Sequence, residues 1–382
     1  VKKVYWRPQA IPRRAMVLIA FLSLGAFVAV EKFPVVRKQP WHTEKLAAAR
    51  LTQEAFKTVK AGRLSRNIPI QLETDPLQTG LVGHSITPVT SNSGYLSAKR
   101  ASINPNFAAL VVHWLKRAGV EKGDVVAIGL SGSFPALCIA SLAAAQTLEL
   151  RPIVISSASA SEWGANDPNY MWLDMEHELY ERKVFGFRSV ASSRGGIDDK
   201  AFGISEEGRT LIDAAITRNG VQRIDSASLV EGVEERMRIY DAQASERPIK
   251  AYINVGGGTA SVGTHVGKKQ FKSGLNLEPP SGEGIVDSVM LRFARRRVPV
   301  IHLSGIEALA KTWGFPEEPK TMPSPGEGRV FVKEEYNRWI AGISLAVVLA
   351  AMLGFLRLDF AVRLLRSPAR RTSRASQPQQ MV

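Results

Sequence analysis

Four short apolar runs most constrain what this chain can fold into: "DVVAIGL" (124–130), "PIVIS" (152–156), "IKAYINV" (249–255) and "VPVIHL" (298–303). None alternates polar with apolar residues, so each reads as a strand covered on both faces. Helical patterns fall before, between and after them, over 43–62, 104–118, 135–148, 168–183, 205–219, 228–241, 284–296 and 305–313. Thr43 and Asn104 stand as N-caps, and Gly62 and Gly119 as stops. The expectation is an α/β domain built on a mostly parallel sheet with helices on both faces. Such a sheet binds ligands beyond the carboxyl ends of its strands. That edge gathers four turns, Ser131–Ser133, Ser156–Ser161, Asn254–Gly258 and His302–Ser304. Residues 74–104 read as a long loop, and 312–328 as an extended linker.

The formal net charge is +15, which invites a nucleic-acid reading until its placement is considered. Lys2, Lys3, Arg7, Arg13 and Arg14 crowd one end, and Arg357, Arg363, Arg366, Arg370, Arg371 and Arg374 the other. Each cluster abuts an uncharged apolar run, "AMVLIAFLSLGAFVAV" or "WIAGISLAVVLAAMLGFL". The basic ends are therefore read as membrane-flanking charge, with no nucleic acid as partner. The expected organisation is a basic N-terminus (1–14), a transmembrane helix (15–31), an α/β domain with membrane-proximal linkers (32–338), a second transmembrane helix (339–356) and a basic tail (357–382). Lysine and arginine on the outer side of both runs predict a bacterial cytoplasmic membrane location, both termini in the cytoplasm and the domain outside. Membrane lipid is then an obligatory partner. The single cysteine, Cys138, cannot form an intramolecular disulfide and reads as a core residue.

The turn "GLSGS" (129–133) partly matches the G-x-S-x-G pattern of a serine nucleophile, but glycine follows Ser131 directly. Ser131 or Ser133 is a nucleophile, a helix cap, or, with Gly132, part of an anion site. "NVGGGTASVGTH" (254–265) lacks the lysine of a phosphate loop and the third glycine of a dinucleotide fold. Neither a nucleotide nor another cofactor is expected. Asn254, Gly256, Gly257 and Gly258 remain as ligand-approach residues. Helical phase puts Glu176 in the middle of an apolar face, where it must pair with an arginine or hold a raised pKa suited to acid–base work. Asp174 and Glu178 fall on the polar face and read as solvated; so does His113 on its own helix. Arg194, with Arg188, offers a fork for a carboxylate, and Ser157 and Ser159 line the neighbouring turn. His302 ends a strand at the same edge, as a candidate base or a core histidine. Scattered histidines and one cysteine give no metal-binding pattern, so no metal is expected.

The strings "YWRP", "NPNFAALVV", "GLSGSFPAL", "SSASASEWGAN", "WLDMEHEL", "YINVGGGTASVG" and "PVIHL" together resemble the poly-gamma-glutamate system protein family, over about residues 5–340. The resemblance implies a membrane-anchored accessory component of poly-gamma-glutamate synthesis or export. Its implied partners are the polyanionic polymer and the membrane subunits of the synthase. It brings no established catalytic mechanism. A second expectation stays open: a serine-dependent amidase or transpeptidase-like hydrolase using Ser131 or Ser133 with Glu176 or His302, for which the resemblance implies gamma-glutamyl bonds as substrate.

Overall fold

The computed structural model describes residues 13–365 apart from Glu283; most of the expected basic N-terminus and tail lies outside the described residues. Two units are distinguishable, one spanning Lys38–Val332 and the other formed by the two ends of the chain. In the larger unit the four apolar runs form strands β1 (Val125–Ser131), β2 (Arg151–Ser157), β5 (Ile249–Val255) and β7 (Val300–Leu303). Three shorter strands join them: β3 (Ala191–Ser193), β4 (Gln222–Arg223) and β6 (Gly274–Asn276). The sheet order is β4-β3-β2-β1-β5-β7-β6, parallel throughout except for β6, which runs antiparallel at its edge.

The connections explain the two-sided cover. From β1 the chain steps outward through β2 and β3 to β4, using helices α5 (Pro135–Thr147), α6 (Trp172–Glu181) and α7 (Glu206–Arg218). Val126, Ile128, Leu130, Val154 and Ile253 face these helices, together with α2 (His42–Ser65) and α4 (Phe107–Arg117). Helix α8 (Leu229–Ala244) then carries the chain back past β1 to β5. Alternate strand residues, Val125, Ala127, Ile153, Ile155, Tyr252 and Val300, face α8 and α11 (Val289–Arg295). A parallel crossover keeps one hand, so reversing its direction moves the helices to the other face. The reversal between β1 and β5 makes the topological switch point of a doubly wound sheet.

Several boundaries differ from expectation for physical reasons. Helix α2 begins at His42, with no side-chain cap, and runs through Gly62 to Ser65. Gly62 is a close-approach residue: a Cβ there would lie 2.1 Å from Glu178 Oε2 and 2.3 Å from the Tyr170 hydroxyl. Asn104 does not cap α4, which begins at Phe107 behind Asn106 without a side-chain cap; its Oδ1 accepts from Asn106 N at 3.0 Å in the turn that leads in. The expected loop 74–104 contains a short helix, α3 (Leu96–Ser102). The stretch 312–328 is anchored, with buried Phe315 edge-on to Phe107 at 5.3 Å. His113 is not solvated; it lies edge-on to both Trp41 and Trp313, and burial pushes its pKa down to about 4. Cys138 is fully buried in α5, a helix buried nearly all round, which accounts for its lack of an apolar stripe.

The second unit consists mainly of helix α1 (Arg13–Lys32), of 20 residues, and helix α13 (Arg338–Leu365), of 28 residues, lying against one another. Within α13, Arg338–Phe355 has a mean hydropathy of 1.9 and none of it is buried, so it is long and apolar enough to cross a membrane. At about 1.5 Å per residue those 18 residues span about 27 Å, close to a hydrocarbon core.

Candidate functional site

Strand register carries one row of polar side chains across the carboxyl edge. Ser131 pairs with Ser157, and Ser157 with Ser193. One row lower, Asn254 pairs with His302, and Gly129 with Asn254. Alternation places all five on the α8–α11 face of the sheet. Five adjacent parallel strands thus end in hydroxyl, amide or imidazole groups at the switch point.

The Gly-rich turn closes this row from above. Gly256 has φ 87°, in the region that favours glycine, and a Cβ there would sit 3.1 Å from Ser131 Cβ. Gly258 stands equally near Ser157, with 3.6 Å between a notional Cβ and its hydroxyl. Lys268, exposed, brings its Nζ to 3.9 Å from the corresponding point on Gly257. Across the crevice Thr259 Oγ1 donates to Gly196 O at 3.1 Å, joining this turn to the loop after β3. Ser159, Asn254 and His302 are buried, yet among the described residues Ser159 Oγ, Asn254 Oδ1 and His302 Nε2 have no hydrogen-bond partner. Native structures leave few such groups unsatisfied, so each marks a place for water or ligand.

The serines of the first turn form their own network. Ser131 Oγ donates to Ser133 Oγ at 3.2 Å, and Ser133 N donates to Ser131 Oγ at 3.3 Å. Ser131 is the last residue of β1 and has no left-handed backbone, so the strained elbow of a serine hydrolase is not formed. Neither Glu176 nor His302 is a hydrogen-bond partner of Ser131 or Ser133 among the described residues. His302 accepts at Nδ1 from Asn254 Nδ2 at 3.0 Å. Burial, reinforced by Lys268, holds its pKa down at about 4, so the imidazole is neutral with its proton on Nε2.

Glu176 lies beneath the sheet, away from this crevice, on the α5–α7 side. It accepts from Ser189 N and from Ser189 Oγ, each at 3.0 Å, and among the described residues no arginine hydrogen-bonds to it. Ser189 Oγ contacts Ser156 Oγ at 2.6 Å, which also accepts from Trp172 Nε1 at 3.1 Å. Burial raises the Glu176 pKa to about 7 against the pull of these donors. Asp174 is buried, not solvated: it accepts from Arg218 Nε at 2.7 Å, from Asn219 Nδ2 at 2.8 Å and from the helix-capping Met171 N at 2.8 Å. Glu178 is likewise occupied by Arg66, Arg182 and Tyr170.

Arg194 offers no free fork, because both its Nε and Nη2 are engaged by Asp213 at 2.8 and 2.6 Å. Arg188 donates to Asn219 O at 2.6 Å and meets His177 Nδ1 at 3.1 Å. Arg194 lines a cavity of about 530 Å³ with Lys200, Arg209 and Asp225. A larger depression of about 650 Å³ lies at the opposite, amino edge of the sheet, where Arg247, Lys250, Arg296 and Arg297 outnumber Asp241 and Glu246. Among the described residues no group of histidine, cysteine and carboxylate side chains is arranged to hold a metal.

One buried lysine at this edge was not singled out from the sequence. Lys99 on α3 is only 3% exposed, donates to Ser133 O and to Ser161 Oγ, the latter at 2.8 Å, and lies 4.0 Å above the Phe134 ring. Burial lowers its pKa to about 7, helped by Lys268 and opposed by Cys138 and Glu162. The fold and this edge define a doubly wound α/β domain with a row of polar side chains at its switch point, in a chain that also carries a helix fit to span a membrane. No protein-family profile, curated protein or solved structure matches the chain.

Proposed function

We propose that this chain is a membrane-anchored, extracytoplasmic component of poly-gamma-glutamate synthesis or export, whose α/β domain binds the polyanionic polymer and docks on the synthase subunits. The proposal includes both apolar helices as spans, α1 as well as α13, with lysine and arginine holding the two ends on the cytoplasmic side. The observation that carries the binding reading is the switch-point crevice. There Ser131 and Ser157, the Gly256–Gly258 turn with its exposed Gly257, the nearby Lys268 ammonium and the unpartnered Ser159 hydroxyl meet. Hydroxyls and backbone amides with one adjacent cation suit a carboxylate, which needs several donors and modest charge. The cationic depression at the amino edge supplies further long-range attraction for a polyanion.

Binding of fluorescent poly-gamma-glutamate oligomers to the full chain in lipid nanodiscs tests this reading. Saturable binding that weakens with salt is expected, with a neutral polymer of equal length binding at least 10-fold more weakly. Ser157→Val should weaken the anionic oligomer about 10-fold, the equivalent of one lost charge-assisted hydrogen bond. Equal affinity for the two polymers, or no saturable binding at low salt, removes the proposal.

A further inference from the structure

Buried lysines are ordinarily paired with a carboxylate. Lys99 has instead two neutral serine oxygens and the face of Phe134 as partners. We propose that Lys99 and Ser161 form a serine–lysine pair that cleaves amide bonds, with Ser161 as nucleophile and Lys99 as its base. The activity goes beyond polymer binding and does not depend on it.

The geometry supplies the parts such chemistry needs. Lys99 Nζ lies 2.8 Å from Ser161 Oγ, within reach for proton transfer, and its bond to Ser133 O fixes the amine's direction. Three other titratable groups face Lys99: the buried Cys138 thiol, Glu162 and Lys268. Burial keeps the thiol's pKa well above its ordinary value, so it carries no charge, and the same burial leaves a large fraction of Lys99 as free amine at neutral pH. Ser133 Oγ accepts from Ser161 N at 3.1 Å and from Ser131 Oγ at 3.2 Å, which leaves its own O–H as a donor beside the attack point. Ser133, like Phe134 and Glu162 beside the pair, is half-buried.

In the reaction Ser161 Oγ attacks the amide carbonyl carbon while its proton passes to the neutral Lys99 amine. The C–N bond then breaks, and the Lys99 ammonium returns that proton to the leaving amine. Water, giving a proton to Lys99, attacks the acyl-serine; the carboxylic acid departs and Ser161 regains its proton. Residues 91–95 cover the pair: Gly94 N donates to Glu162 Oε2 at 2.9 Å, and Glu162 N to Asn92 O at 3.0 Å. Substrate entry requires this segment to lift.

A fluorophosphonate probe on the full chain in nanodiscs, read by intact mass and peptide mapping, tests the assignment. One adduct on Ser161 is expected, with a labelling rate that rises with pH through about 7 and then levels. Ser161→Ala should abolish it. Lys99→Arg keeps charge and donors but cannot act as a base, so it should slow labelling at least 100-fold. An adduct on another residue, an unchanged rate in Lys99→Arg, or no labelling from pH 6 to 9 overturns the pair. If the lysine variants unfold, the pH profile of the parent still decides, since a rate climbing without a plateau up to pH 10 rules out a base of this pKa.

Discussion

Around β3 and β4, charges are buried in opposite-sign pairs, whereas around β1 and β2 they are buried singly. On the first side Arg236 Nη2 meets Asp199 Oδ2 at 2.7 Å, both almost fully enclosed, and Ser193 Oγ bridges them at 2.7 Å to each residue. Nearby, Arg218, its own side chain 38% exposed, grips the buried Asp174 with two bonds. On the second side Lys99 and Glu176 have only hydroxyls, carbonyls and backbone amides as partners. The two arrangements have different consequences. A compensated pair stays ionised and fixes geometry; a single buried ion shifts its pKa toward neutrality and becomes able to exchange a proton near pH 7. Lys99 and Glu176 both move to about 7 from opposite directions. The β3–β4 side therefore reads as scaffold and the β1–β2 side as the reactive one.

The largest effect should come from breaking the scaffold pair. Asp199→Asn preserves shape and the left-handed backbone (φ 63°), which asparagine tolerates, but strands the Arg236 guanidinium in the interior. The cost is expected at about 3–5 kcal/mol in urea unfolding of the full chain. Adding Arg236→Met should recover part of that loss, because the uncompensated charge is then gone. A single-variant cost below about 1 kcal/mol would mean the pair is not shielded as its enclosure implies, and the contrast between the two sides would collapse.

The contrast was only half legible in the sequence. Uninterrupted apolar runs announced β1, β2, β5 and β7, and their carboxyl-edge turns did come together at the switch point. The strands β3, β4 and β6 are two or three residues long and partly polar, too short for any period to stand out. Glu176 was readable because helical phase alone places it on the buried face, though its serine partner on a following loop was not. Lys99 could not be found that way. Its enclosure comes from partners 34 and 62 residues away, and a lysine in a Gly- and Ser-rich stretch carries no local sign of burial. Arg194 failed for the reverse reason: its surroundings of small residues suggested an open fork, but Asp213, one helix on, already fills it.

An effect of intermediate size sharpens the other side. Burial raises the Glu176 pKa from 4.5 to about 7, so the folded protein holds more protons than the unfolded chain between those values. Stability contributed by the protonated acid is full below about pH 4.5 and is lost as pH rises to about 7. Glu176→Gln removes the titration while keeping a group that can accept from Ser189. The variant should gain stability relative to the parent as pH increases from 5 to 8, on the order of 3 kcal/mol at the upper end. Parallel denaturation curves at pH 5 and pH 8 measure it. A constant difference between parent and variant would show that Glu176 is ionised throughout, and hence compensated after all.

The smallest effect concerns Arg194, whose pair with Asp213 on the scaffold side is partly open to water. Its side chain is 25% exposed and that of Asp213 26%, so solvent screens the attraction despite the two-pronged geometry. Arg194→Ala should cost only about 1 kcal/mol, diminishing in high salt, and Asp213→Ala somewhat more, because it also removes the partner of Arg223 at 2.9 Å. Because its donors are already filled, the variant should bind poly-gamma-glutamate oligomers with the parent's affinity, whereas Ser157→Val should not. If Arg194→Ala instead weakens polymer binding 10-fold with little loss of stability, the arginine must leave Asp213 for the ligand. The ligand surface would then extend past β3, across the boundary that separates the paired charges from the single ones.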